Sequence, residues 1–445
     1  MTRHYEGSIA AVASSPGPRR RAERLRVKRS TDGAALGAVL PGLFFLSVCG
    51  VLLNERFGFP AVLLFLAPWG VILALRHRAF LDGLRADYPL LVLPTLALLS
   101  ALWSDDPLWS VRAAVQFAIT IGIGLAAVHC IGFRDSIKAM LLALTVIAAL
   151  SVVDGTTQIS GITGEPVLVG LFGSKNSYSF VMALMMVIGL AVALDGGYGR
   201  LLRLLGLGGV LASPFLLYAG KSLGAMILTL AALAAMAAYV LTRRWSAQKR
   251  LTVAFLALSA VALPMLVYFI AGYSVVDILD ALGKDSGMTG RGYLWSRATD
   301  FIAENPLMGV GYQAFWRQGN PGAEELWQVN FIGGRSGFNF HNTYFEVGVD
   351  LGLLGVVCFS GLMATFGLRA VKRLFEPYSA AGLFTVGAVF LLLPRTFVEV
   401  VFVDQFRLAT LVFCMAWVVA RQSAPPPPPP AASRLAVSRE MRGPR

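Results

Sequence analysis

From Leu36 to Ala420 the chain alternates apolar runs of roughly 17 to 24 residues with short polar breaks, and each run is long enough to cross a hydrocarbon core as a helix. The pattern predicts spans over residues 34–53, 59–75, 88–103, 109–130, 137–153, 177–194, 201–218, 222–241, 251–272, 345–368, 379–393 and 401–420. The expected fold is an all-α integral membrane protein with about twelve transmembrane helices and one long periplasmic loop carrying short helices.

This divides the chain into a basic cytoplasmic tail (1–33), nine spans (34–273), a long outer loop (274–344), three spans (345–420) and a Pro-rich cytoplasmic tail (421–445) that includes "PPPPPP". With the N-terminus inside, the breaks "RHR", "RLLR", "RRWSAQKR" and "RAVKR" all fall on the inner side, as the positive-inside rule requires. The first thirty residues lack an A-x-A-like cleavage site and read as a tail, not as a removed signal peptide.

Composition agrees with this reading: 56% of the residues are hydrophobic and only 14% charged. The formal net charge of +13 comes from the tail "RRRAERLRVKR" and the inner breaks, where anionic lipid is the neighbour, so it does not indicate a nucleic-acid partner. Cys49, Cys130, Cys358 and Cys414 lie inside predicted spans without C-x-x-C spacing, which points to neither disulfide nor zinc chemistry.

Candidate chemistry gathers on the outer side. Within "TGRGYLWSRATDFIAENPLMGVGYQAFW", Thr289 is placed to cap a helix that presents Leu294, Trp295, Ala298, Phe301 and Ile302 on one face and ends at Pro306, with Arg291 at its beginning. "GVGYQAFW" is Gly-rich but lacks the Lys and Ser/Thr of a phosphate loop. "WSDDP" reads as a capped turn with Asp105 and Asp106 solvated.

Lys175 and Asn176 in "GLFGSKNSYSF", Lys221 in "YAGKSLGA", Arg395 in "LPRTFVEV" and Arg291 are cations and an amide that suit an anion such as a diphosphate. Each has a plainer explanation. Lys175 and Lys221 can reach lipid headgroups, Asn176 can cap its helix, and Arg395 can pair with Glu399 one turn along.

His341, one of four histidines, stands beside Asn342 at the lip of the tenth span. There an imidazole can accept a proton near neutral pH, or serve structurally by bonding a loop carbonyl.

"LFGSKN", "GKSLGA", the long outer-loop string and "HNTYFEVGVDLGLLGV", in that order, resemble the O-antigen ligase and polysaccharide polymerase family. "PLMGVGYQAFW" is most similar to the exopolysaccharide polymerases of rhizobia and related bacteria. The resemblance covers about residues 100 to 415.

It implies an inverting glycosyltransferase of the bacterial inner membrane, with a periplasm-facing site. Such an enzyme joins undecaprenyl-diphosphate-linked repeat units without metal or other cofactor, among membrane lipid and with a flippase and a chain-length regulator as partner proteins. His341 and Arg291 would then be catalytic, Arg395, Lys221 and Lys175 would hold the diphosphate, and Asn342 and Asn176 would orient the glycan. One departure stands out: many members have Ser-Arg-Gly where this chain has "GKSLG". Lys221 keeps the charge there but not the planar fork. A ligase that attaches a finished glycan to lipid A core or to a protein shares these motifs, and a transporter or flippase is the alternative from outside enzymology.

Overall fold

A computed structural model describes residues 18–159, 164–272, 291–335 and 337–422, with side chains from residue 37 onward. The expected Thr289 cap, the first part of the basic tail and the "PPPPPP" tail lie outside the described residues.

Among the described residues the fold is all-helical apart from one short hairpin. The first nine helices are α1 (Pro18–Phe57), α2 (Phe59–Ala86), α3 (Val92–Leu99), α4 (Pro107–Ala126), α5 (Phe133–Asp154), α6 (Lys175–Leu194), α7 (Arg200–Gly220), α8 (Leu223–Leu241) and α9 (Ala247–Ile270). Two short helices follow, α10 (Arg291–Glu304) and α11 (Pro321–Val329), then α12 (Thr343–Phe375), α13 (Ala380–Leu392) and α14 (Leu408–Arg421). Among the described residues, nine helices are long and apolar enough to cross a membrane, and residues 88–102 and 408–421 form shorter apolar ones. Helix α1 begins at Pro18, so the second half of the basic tail is helical.

The hairpin pairs β1 (Thr157–Ile159) antiparallel with β2 (Pro166–Leu168) between α5 and α6. Helix α6 lies at the centre of the bundle, with Met182, Ala183, Leu184, Val187 and Ile188 all inaccessible to solvent or nearly so.

The described residues between α9 and α12 fold into a small unit of their own. Leu294, Ala298 and Phe301 of α10 are buried as the apolar pattern predicts, and they pack with Phe315, Leu326, Trp327 and Phe340. Arg297 locks the unit from outside through Glu325 at 2.8 Å and Asp300 at 2.8 Å. The "WSDDP" turn caps α4 through Asp106, whose carboxylate accepts from the Trp109 amide. It is not purely solvated, because Arg317 also donates to it at 3.1 Å.

The unit is fastened to the bundle at a break in α12. Gly352 has φ 63° and ψ −163°, a region that only glycine adopts readily. A Cβ there would lie 2.4 Å from the Leu307 and Met308 backbone. The broken turn leaves backbone groups without intrahelical partners, and residues 306–311 supply them. The amides of Val310 and Gly311 donate to the carbonyls of Val349 and Asp350 at 3.0 and 2.9 Å, while those of Leu353 and Leu354 donate to Pro306 and Leu307 at 2.8 and 3.2 Å. The Gly-rich stretch "NPLMGVG" is therefore a splice that fits the helix break.

Gly352→Ala is expected to cost about 2 kcal/mol or more, from the disallowed conformation and the collision together. The check is the thermal midpoint of the detergent-solubilised protein followed by size exclusion. An unchanged midpoint would show that the splice does not hold the unit down.

Candidate active site

Four segments remote in sequence meet at Glu399. Asn176 Nδ2 donates to its Oε1 at 2.7 Å, Arg291 Nη2 reaches the same oxygen at 3.0 Å, and His341 Nδ1 lies 3.1 Å from Oε2. The side chains are 13% exposed for Glu399, 20% for Arg291 and 27% for His341, so the cluster is shielded yet open on one side.

Each member is positioned by local structure. Ser174 caps α6 by accepting from the Ser177 amide, which puts Lys175 and Asn176 in the first turn. Asn176 also accepts from Ser222 Oγ at 3.1 Å, tying in the start of α8. Arg291 opens α10. His341 sits in the left-handed region with φ 50°, a conformation uncommon for any residue with a Cβ. Its amide donates to Asn339 Oδ1 at 2.8 Å, and the preceding Phe340 amide donates to Glu346 Oε2 at 2.9 Å.

Glu399 lies near the start of an irregular stretch, residues 398–407, that enters the bundle before α14. Non-helical backbone at this depth must find its partners within the protein. Thr343 Oγ1 donates to the Glu399 carbonyl at 2.9 Å and accepts from the Val401 amide at 3.0 Å, and Thr120 Oγ1 accepts from the Phe406 amide at 3.0 Å. The span expected over residues 401–420 is therefore helical only from Leu408. Glu55 braces the far edge: it accepts from the Gly173 amide and from Ser177 Oγ, and pairs with Arg407.

Burial alone pushes the Glu399 carboxyl up. The hydrogen bond and charge of His341, with the charges of Arg395 and Arg291, outweigh that and hold it down to about 2. Glu399 is thus ionised near neutral pH and can only accept, so Nδ1 of His341 is the donor whether the ring is charged or neutral, and whenever the ring is neutral its lone pair lies on Nε2. Arg395, 9% exposed, lies with its guanidinium carbon 4.6 Å from the centre of the Phe180 ring, and its charge acts on Glu399 and Arg291. Two guanidinium groups thus stand against one carboxylate.

Of the residues singled out from the sequence, His341, Arg291, Arg395 and Asn176 come together, with Lys175 in the same turn as Asn176. Asn176 is not the helix cap, and the His341 ring bonds a carboxylate, not a loop carbonyl. Arg395 does not form the expected one-turn pair: Glu399 is bonded to Arg291 and His341, and only its backbone amide donates to the Arg395 carbonyl, at 2.8 Å.

Lys221 departs from expectation. It ends α7 in a left-handed turn and points to Glu165, 2.5 Å away on the surface, so Ser222 rather than Lys221 contacts the cluster. Asn342 caps α12, accepting from the Tyr344 and Phe345 amides and donating to the Phe397 carbonyl at 3.1 Å. Those bonds turn it toward the protein and make it the anchor of the histidine turn.

Glu399, which the sequence reading named only as a one-turn partner for Arg395, is the carboxylate on which the cluster converges. Its signal was a lone carboxylate in the apolar run "FVEVVFV". No group of residues suited to hold a metal is found among the described residues.

A depressed carboxyl contributes stability that is complete above its ordinary range near 4.5 and is lost as pH falls through the folded value near 2. Glu399→Gln removes that contribution, on the order of 3 kcal/mol. The gap in thermal midpoint between wild type and variant should therefore be widest at pH 6 and close as the pH approaches 2. A gap independent of pH would mean that the Glu399 charge is not what holds the cluster.

The O-antigen ligase family model matches residues 207–360. The exopolysaccharide production protein ExoQ of Rhizobium meliloti (strain 1021) is 32% identical over 355 residues, covering 78% of this chain and 80% of that protein. With that identity over most of both chains, this multi-pass membrane protein belongs to the O-antigen ligase and polysaccharide polymerase family.

Proposed function

We propose that the chain is an inverting membrane glycosyltransferase that polymerises oligosaccharide repeat units carried on undecaprenyl diphosphate at the periplasmic face of the inner membrane. The observation that carries the reading is the Glu399 cluster: a histidine with its Nε2 lone pair available stands beside two guanidinium groups whose charge exceeds that of the one carboxylate they share.

In the proposed reaction the hydroxyl of an acceptor sugar attacks the anomeric carbon of the donor glycan, and His341 Nε2 takes the hydroxyl proton as the new C–O bond forms. The bond from the anomeric carbon to the diphosphate oxygen breaks, and its electron pair leaves with the diphosphate. Arg291 and Arg395, with Lys175 nearby, stabilise that developing charge. Displacement from one face inverts the anomeric centre. Glu399 keeps the imidazole in the tautomer that can accept, and Asn176 fixes Glu399. Lys221 is assigned no contact with the diphosphate. The exopolysaccharide role named for the relative favours a polymerase, whereas the family model's description favours a ligase. A flippase and a chain-length regulator would be the polymerase's neighbours.

Purified protein given lipid-linked repeat units should yield a ladder of chain lengths. A single transfer to lipid A core or protein would identify a ligase, and movement of the lipid-linked unit across the bilayer without bond formation a transporter. Arg291→Ala, Arg395→Ala and His341→Ala should each reduce transfer by about 10²-fold or more at near-normal protein level. Arg291→Lys should recover part of it, and His341→Gln little. Normal transfer by His341→Gln would overturn the proton-accepting role.

The proposed orientation puts the loop unit in the periplasm and both tails in the cytoplasm. A cysteine replacing the exposed Gln318 should react with a membrane-impermeant thiol reagent once the outer membrane is permeabilised. Reaction only after inner-membrane lysis would reverse the topology.

A further inference from the structure

Helix α10 reaches the histidine turn as well as the carboxylate. Arg291 at its start bonds Glu399, and one turn later the Trp295 indole Nε1 donates to the Phe340 carbonyl at 2.8 Å. The apolar pattern put Trp295 on one face with Leu294 and Ala298, both of which are buried. The structure separates them: Trp295 is only half-buried and stays out of the cluster that those two form with Phe301, Phe315 and Phe340. Its ring lies instead on Phe345 of α12, stacked with centroids 5.8 Å apart and planes at 26°.

The bond it makes falls on one peptide unit. The Phe340 carbonyl and the His341 amide share a plane, and that plane is held at both ends: Trp295 Nε1 donates to its oxygen, and its N–H donates to Asn339 Oδ1, each at 2.8 Å. Turning the plane changes ψ of Phe340 and φ of His341 together. His341 can therefore leave φ 50° by a peptide flip only if both bonds break. Without them, a residue that carries a Cβ relaxes to negative φ. An indole has one polar hydrogen and is a donor only, so the Phe340 carbonyl is the whole of Trp295's polar role. Beyond that peptide, the His341 ring stands edge-on to Phe338, with centroids 5.7 Å apart, and 3.1 Å from Glu399.

We infer that Trp295 is a positioning residue for His341: its N–H holds the Phe340–His341 peptide in the left-handed turn and thereby holds the imidazole at Glu399. It acts through His341 and not on substrate. That the imidazole so placed accepts a proton rests on the reaction proposed above; that Trp295 places it does not.

Trp295→Phe keeps an aromatic ring beside Phe345 and removes the donor. With lipid-linked repeat units the variant should lose kcat by about tenfold and keep KM within about twofold, because misplacing a reacting group costs rate more than binding. In a His341→Ala background the same substitution should cost nothing further, since residues that act as a unit are non-additive. A tryptophan that merely packs would cost the same factor in both backgrounds. That result, or full kcat in the single variant, would overturn the inference. A second measurement needs no glycan: the reaction of His341 with diethyl pyrocarbonate, read by peptide mass spectrometry on the full chain, should be several-fold faster in Trp295→Phe as the ring comes away from Glu399. An unchanged rate would overturn the inference whatever reaction the protein performs. Should Trp295→Phe fail to fold, 3-benzothienylalanine at position 295 keeps the indole shape, replaces only the N–H by sulfur, and should give the same acceleration. Normal transfer by His341→Ala together with faster modification in Trp295→Phe would overturn the proposed reaction and uphold the positioning role.

Discussion

One carboxylate determines how the outer end of the bundle is assembled. Glu399 receives Asn176 from α6, Arg291 from α10 and His341 from the turn before α12, groups 223, 108 and 58 residues away along the chain. Removing one partner from a shielded ion pair typically costs about 3–5 kcal/mol, because the charge left behind has no water to replace it. The cations that would meet an anionic ligand can be held at low exposure only because Glu399 is there. The same carboxylate also holds the His341 ring, so one ionised side chain ties the position of the imidazole to the assembly of the bundle.

That arrangement needs the outer loop unit to be fixed on the bundle, and the break at Gly352 does so. Helix α12 has 33 residues, and the part beyond the break, residues 353–375, rises about 34 Å by itself, enough for a hydrocarbon core of roughly 30 Å. The turns before the break serve as the floor of the loop unit. Glu346 and Asp350, both buried on those turns, accept from Trp316 Nε1 and from the amides of Phe340 and Gln313, pinning two loop strands at once. Because one of those strands carries His341, the position of the imidazole is set by the same helix that enters the membrane.

The parts of this design that were legible in the sequence are those that leave a local trace. Apolar runs marked the membrane helices, and the 3–4 spacing of Leu294, Ala298 and Phe301 marked the buried face of α10. Isolated cations against an apolar background marked Arg291 and Arg395. Contacts made at long range left no such trace. Glu399 looked like the helical neighbour of Arg395, because an i, i+4 spacing suggests a pair whenever the helix continues. Here the helix stops, and the carboxylate turns toward α6 and α10. Lys221 looked equivalent to Arg395 as an outer cation, yet its left-handed backbone aims it at Glu165. The Gly-rich "PLMGVG" showed no purpose until its partner, the broken turn at Gly352, was in view.

A second His–carboxylate–Arg cluster at the other end of the bundle shows why composition alone does not make a site. Asp87, fully buried, accepts from His129 Nε2 at 2.8 Å, from Trp417 Nε1 at 3.2 Å and from Arg421 through both Nε and Nη2, at 2.8 and 3.2 Å. Both carboxylate oxygens are saturated, and the arginine presents its fork to the protein. The His129 ring is packed so closely on Gly83 that a Cβ there would lie 2.6 Å from it. At Glu399 the same three residue types are used differently: Arg291 spends one nitrogen, His341 spends Nδ1, and Arg395 rests on Phe180. The first arrangement uses up its polar groups and so stabilises the closed end of the bundle. The second leaves hydrogen-bonding capacity on Arg291, Arg395 and His341 unspent among the described residues, and that capacity is what the proposed transfer reaction would draw on.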